Sequence, residues 1–126
     1  MRLRNVLITV TDIERSKTFY KELFGLDVVL DNGGNVIMTE GLVLQDIALW
    51  ERNTGFSVTP RNNATLLYFE EKQLDVFVEK LQKYNQRQKS VTGEALSEPV
   101  LQGESPRSVY LYDPDGNLIE VGEPWR

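Results

Sequence analysis

The chain contains no cysteine and no histidine. Without cysteine there are no disulfides, no thiolate nucleophiles and no Cys-ligated metal site. Without histidine, Ser-His-Asp and Cys-His catalysis are excluded, as are the imidazole ligands that zinc, nickel and iron usually demand. Any chemistry must come from carboxylates, Tyr, Lys, Arg, Ser or Thr. Long apolar runs are missing too, since none approaches the roughly 18 residues needed to span a bilayer. The apolar stretch Val6-Leu7-Ile8-Thr9-Val10 is too short for the core of a secretory signal. A cytoplasmic location is therefore the default expectation. Positive charge is in short supply: 14 Lys and Arg against 19 Asp and Glu leave a net charge of −5. That balance repels phosphate backbones and anionic bilayers, so neither a nucleic acid nor a membrane is expected as a partner. No glycine-rich phosphate loop, paired catalytic carboxylate or basic patch stands out.

What is present suits one globular domain with a single sizeable core: 126 residues, 40% hydrophobic and 26% charged. Residues 6–10 are β-branched and read as a strand. Thr11 or Asp12 can cap the helix that follows, with Glu14 in its first turn, Ile13, Ser16, Tyr20 and Leu23 at helical spacing, and Gly25 as its left-handed end. Strands are then expected over 27–30, 35–39 and 42–50, separated by Asp31-Asn32-Gly33-Gly34 and Glu40-Gly41. The second half repeats the order. It has a strand over 65–69 and a helix over 72–84 with Leu74, Phe77, Val78, Leu81 and Tyr84 on one face. Strands follow over 89–95, 107–112 and 118–121, the last two joined by Asp113-Pro114-Asp115-Gly116-Asn117, a turn with no assigned catalytic role. Placing Asp12 over Gln73 aligns the halves at an offset of 61 residues, the mark of an internal duplication. Unit boundaries near 1–51 and 64–126 follow, with a polar connector over 52–63.

Three segments carry a family resemblance. The opening strand runs into Thr11-Asp12, then Ser16 and Phe19-Tyr20 before a glycine. Leu44-Gln45 closes the first unit. The closing run is Ser108-Val109-Tyr110-Leu111-Tyr112-Asp113-Pro114-Asp115-Gly116-Asn117-Leu118-Ile119-Glu120-Val121. With these the chain resembles the vicinal oxygen chelate superfamily of glyoxalase I, extradiol dioxygenases, and fosfomycin- and bleomycin-resistance proteins. The resemblance implies an α+β fold in which two tandem βαβββ units form a cup-shaped mixed sheet, with helices on the convex side and ligands on the concave side. It also implies a homodimer. Fold alone does not fix function here, because the superfamily hosts unrelated reactions and plain binding proteins.

In the family, metal ligands come from the first and last strands of each unit. Carried onto this chain, those positions are Asn5, Gln45, Leu66 and Glu120, where His and Glu would be usual. One carboxylate and two carboxamides make a poor set for a transition metal, so no metal and no other cofactor is expected. Strand alternation puts Leu7 and Thr9 on the concave side of the first strand, and Leu66 with Tyr68, and Ser108, Tyr110 and Tyr112, on that of the second unit. The tyrosines either pack cross-strand or line a ligand cavity. Glu120 is either a solvent-facing carboxylate or a polar anchor inside the cup. Trp50 either closes a core edge or walls the cavity, and Trp125 covers a sheet edge or a subunit contact. The expected function is metal-free binding of a small aromatic or amphipathic molecule, in the style of the bleomycin-resistance branch. The alternative is a glyoxalase-like lyase or isomerase, or a dioxygenase-related enzyme, using Glu120 with a weakly held divalent ion. A third possibility is a scaffold whose cup is filled by its own side chains.

Overall fold

A computed structural model describes residues 1–92, 100–102 and 106–124. The chain divides into two compact units, Met1–Pro60 and Arg61–Arg126.

In the first unit, strand β1 (Val6–Val10) leads into helix α1 (Ile13–Phe24), followed by β2 (Val28–Asp31), β3 (Asn35–Met38) and β4 (Leu42–Asp46). The caps of α1 follow its sequence. The Asp12 carboxylate accepts the Arg15 N–H at 3.1 Å, and Gly25 closes the helix at φ 68°. The sheet order is β1-β4-β3-β2, with β1 parallel to β4 and the other pairs antiparallel. Ile8, Val10, Val36, Met38 and Leu44 are buried, as are Phe19, Tyr20 and Leu23 of α1. Phe19 and Tyr20 meet edge to face, their centroids 5.0 Å apart.

The strand expected over 42–50 is shorter than its apolar run suggests. It stops at Asp46, whose side chain accepts the N–H groups of Ala48 and Leu49 and so starts helix α2 (Ile47–Thr54), ended by Gly55 at φ 77°. Ile47-Ala48-Leu49-Trp50 breaks the period-two alternation, and a capping aspartate ahead of helix formers wins. Residues 52–54, expected in a loop, are helical for the same reason.

The second unit comprises β5 (Leu67–Glu70), helix α3 (Leu74–Thr92), β6 (Val100–Gln102), β7 (Ser108–Tyr112) and β8 (Leu118–Gly122). Its sheet order, β5-β8-β7-β6, repeats that of the first, again with one parallel pair, β5 with β8. Each unit is thus a βαβββ module and the fold is α+β. Leu74, Phe77, Leu81 and Tyr84 form the buried stripe of α3, and Val109, Leu111, Ile119 and Val121 form the buried face of the sheet. The Arg107 guanidinium ties the two, reaching Asp75 in the first turn of α3 at 3.1 Å and Glu123 beyond β8 at 3.2 Å.

The strand expected over 89–95 is not formed where predicted. Residues 89–92 continue α3, and 93–95 lie outside the described residues. Gln86, Arg87, Gln88 and Lys89 are good helix formers with no breaker among them, so propagation costs less than stopping. The third element of this unit is instead the short β6. Trp125 lies outside the described residues.

The β7–β8 turn behaves as its sequence directs. Asp113, 1% exposed, accepts the N–H groups of Asp115 and Asn117 at 2.9 Å each, and Gly116 sits at φ 85°. No helix among the described residues is long and apolar enough to cross a membrane.

Candidate functional site

Alternation decides which side chains of the second sheet are available. In β7 and β8, Val109, Leu111, Ile119 and Val121 are buried, which turns Ser108, Tyr110, Tyr112, Leu118 and Glu120 to the opposite, half-buried face. Register then groups them. Tyr68 of β5 pairs with Glu120, and Glu120 pairs with Tyr110, so the three side chains form a row across adjacent strands. The neighbouring row holds Leu118 and Tyr112, and the other flank holds Ser108, paired with Gly122. Leu66, 39% exposed, precedes Tyr68 by two residues, on the same side of the chain.

Two features shape this open face. Gly122 is buried in a strand, a position where glycine signals close approach. Added there, a Cβ would run into the Tyr68 hydroxyl and lie 3.0 Å from its Cζ, so the missing side chain lets the Tyr68 ring lie down across the strand. Beside Tyr110, the Tyr112 hydroxyl donates to Asn63 Oδ1 at 2.8 Å, and the Arg61 guanidinium stacks over the Tyr112 ring, 5.0 Å from its centroid. The Glu120 carboxylate makes no hydrogen bond or ion pair among the described residues. The row therefore presents two phenol rings either side of an acceptor whose capacity is unspent.

Residues expected at the site from the first unit stand on other elements. Leu7 is 41% exposed, on the face of β1 opposite Ile8 and Val10, and pairs with Val43. Gln45 pairs with Thr9 on one side and Asn35 on the other, and its Nε2 donates to Asn35 Oδ1 at 2.9 Å. Asn5 lies just ahead of β1, level with Gly41 rather than with Gln45. Four residues of paired strand, roughly 13 Å, separate the levels of Asn5 and Gln45. Trp50 lies on α2 rather than at a strand end, its ring 6.5 Å from that of Phe56.

Register also revises the match between the halves. At the offset of 61, Tyr68 corresponds to Leu7; Tyr68 pairs with Glu120, whereas Leu7 pairs with Val43. The counterpart of Glu120 in the first sheet is therefore Val43, and Gln45 corresponds to Gly122. Gln45 lies two residues beyond that counterpart, and the connections differ in length: residues 39–41 separate β3 from β4, whereas residues 113–117 separate β7 from β8.

These positions do not fit the metal that the family resemblance implies. Leu66 and Val43 offer no donor, and Asn5 and Gln45, whose Nε2 donates to Asn35, could offer only neutral amide oxygens at different strand levels. Glu120 is left as a single carboxylate, with no cluster of three acidic side chains among the described residues.

Charge pairing elsewhere is structural. The Arg107 side chain, with its backbone N–H, holds the Glu123 carboxyl below the usual carboxylate range, and Arg107 is correspondingly raised by Glu123 and Asp75. The Lys17 ammonium, aided by the Gly33 N–H, does the same to Asp31. Sequence reasoning missed Arg61, Asn63 and Gly122. Only Gly122 left a sequence signal, a glycine two residues after Glu120 on the same strand face.

The chain matches the family model described as a glyoxalase-like domain over residues 3–126. A crystal structure of a protein of unknown function from Agrobacterium tumefaciens is 30% identical, covering 99% of this chain and 95% of that one, with a TM-score of 0.75. A glyoxalase-related enzyme from Fulvimarina pelagi is 20% identical over 98% of this chain and 88% of that one, with a TM-score of 0.73. A genomically encoded fosfomycin resistance protein from Listeria monocytogenes is 15% identical over 99% and 94%, with a TM-score of 0.70. The duplicated βαβββ topology and the full-length family match agree: this chain belongs to the glyoxalase-like domain family of the vicinal oxygen chelate superfamily.

Proposed function

We propose that this chain binds a small aromatic or amphipathic molecule without a metal ion, in the manner the resemblance to bleomycin-resistance proteins suggests. The observation that carries this reading is the row Tyr68–Glu120–Tyr110 on the open face of the second sheet. Two phenol rings supply flat apolar surface, and stacking on such rings contributes about 0.5–1.5 kcal/mol beyond simple burial. Glu120 supplies an acceptor that orients a cation or N–H donor, and an acidic chain favours such a ligand. A lyase or isomerase using Glu120 with a divalent ion has less support, because no donor set gathers around that carboxylate among the described residues.

Titration of chelator-treated protein with benzyltrimethylammonium, an aromatic cation, tests the reading. Saturable binding that Glu120→Gln weakens several-fold is the expected result. No binding, or binding that appears only when a divalent metal is restored, would sink it. We further propose a homodimer, as the resemblance implies. Light scattering should return twice the chain mass, and a monomer at micromolar concentration would refute it.

A further inference from the structure

The approach to β5 carries two non-glycine residues in the left-handed region, Arg61 at φ 53° and Asn63 at φ 56°. Asparagine tolerates that conformation; arginine does not, and such strain persists only where its surroundings over-determine it. Here they do. The Arg61 stem crosses the β7–β8 turn at Gly116, where its Cγ lies 2.5 Å from the position a Cβ would take. The guanidinium lies over the Tyr112 ring at 5.0 Å, and the hydroxyl of that ring is held by Asn63 at 2.8 Å. Asn62 accepts the Ala64 N–H at 2.9 Å, which fixes the bend. A long cationic side chain is thus held in one place. Yet in a chain with 19 acidic residues it has no ion pair among the described residues. At an exposed position a ring face is worth about as much as a carboxylate, and stacking holds the guanidinium while leaving its N–H donors for an anion.

Arg61 reaches the site through Tyr112. Tyr112 and Glu120 are diagonal neighbours on antiparallel β7 and β8, with Cβ atoms roughly 7 Å apart. A cation and an anion are therefore presented on one face, with aromatic rings between them.

We propose that Arg61 is an oxyanion clamp, selecting ligands that carry a carboxylate, phosphonate or phosphate at the Tyr112 end of the open face and an aromatic, cationic or donor group toward Glu120. This rests on the binding reading above and narrows its ligand class to zwitterionic or anion-bearing aromatics. Arg61 acts by its planar fork, which the Tyr112 ring pre-orients.

The test is isothermal titration of the full chain with benzyltrimethylammonium and with its para-carboxylated analogue. The analogue is expected to bind about tenfold more tightly, a modest value for a charge-assisted pair. In Arg61→Gln that advantage, read as the ratio of the two affinities within the same variant, should vanish. Arg61→Lys, which keeps the charge and loses the fork, should retain only part of it. The clamp is overturned, and the binding reading left standing, if the parent cation binds and the carboxylate brings no advantage, or if the advantage survives Arg61→Gln. Failure of the parent cation to bind overturns both. Urea midpoints of the two variants that match the wild type show that any loss is local.

Discussion

If the absence of a side chain at residue 122 is what lets the Tyr68 ring lie down, the two positions must be energetically coupled, and a double-mutant cycle measures the coupling. Gly122 is not in the left-handed region, so alanine is compatible with its backbone. With nothing above it, Gly122→Ala should stabilise the fold by about 0.4–1 kcal/mol through the unfolded chain. In the wild type the new methyl meets the Tyr68 phenol, and the ring must swing away. Tyr68 is 48% exposed, so about half of a typical aromatic area, roughly 100 Å², is covered, worth about 2.5 kcal/mol as an upper bound. Losing some of that contact, about 1 kcal/mol, cancels the backbone gain. Gly122→Ala alone should therefore change stability by less than about 0.5 kcal/mol. In a Tyr68→Ala background it should be stabilising, leaving a coupling of about 1 kcal/mol. Urea denaturation of the four proteins, compared at constant m, reads this directly. Equal effects of Gly122→Ala in both backgrounds would refute the argument that residue 122 is small to seat Tyr68. In the Tyr68-containing variant, the displaced ring should also cost several-fold in affinity for benzyltrimethylammonium, since stacking geometry is lost.

Other consequences can be checked singly. Asp46→Ala should destabilise by about 1 kcal/mol and reduce helical circular dichroism, because it uncaps α2; a strand continuing to Trp50 predicts no helical loss. Ser16 is fully buried in α1 and its hydroxyl has no partner among the described residues, so Ser16→Ala should raise stability by about 1 kcal/mol, and a lower urea midpoint would contradict that. The carboxyls of Glu123 and Asp31 are held below their unfolded values. Each therefore contributes stability above the ordinary carboxylate range, at about pH 4 and higher, that is lost as pH falls through the folded value. Glu123→Gln should flatten the acid limb of the stability profile below about pH 5 and leave its alkaline side unmoved; an unchanged acid limb would refute the pairing with Arg107. Lys17 is raised by Asp31, so its contribution is present at neutral pH and is lost only above the ordinary lysine range, seen as a loss of urea midpoint there that Lys17→Met removes.

The order of elements was legible in the chain because it depends on local chemistry. Asp12 and Gly25 bound α1, period-two alternation marks β7 and β8, and Asp113 through Asn117 can hardly be anything but a turn. Repetition at an offset of 61 residues made the duplication visible, since equal spacing of strands and helices imposes equal topology. Errors fell where two local preferences compete, as at 46–50 and 86–92, and short-range patterning cannot say which one long-range packing will support.

The open face was half legible. That Ser108, Tyr110 and Tyr112 share a side follows from counting by twos, Glu120 was set with them only as the resemblance implied, and the sequence alone also removed imidazole and thiol from any site. Pairing across strands cannot be counted in this way. Only register set Tyr68 beside Glu120 and Val43, rather than Gln45, at its counterpart in the first sheet. Only the folded backbone turned Arg61 onto Tyr112. Strand faces are fixed by the geometry of a single chain segment, whereas strand neighbours and left-handed bends are settled by hydrogen bonds and contacts between residues dozens of positions apart.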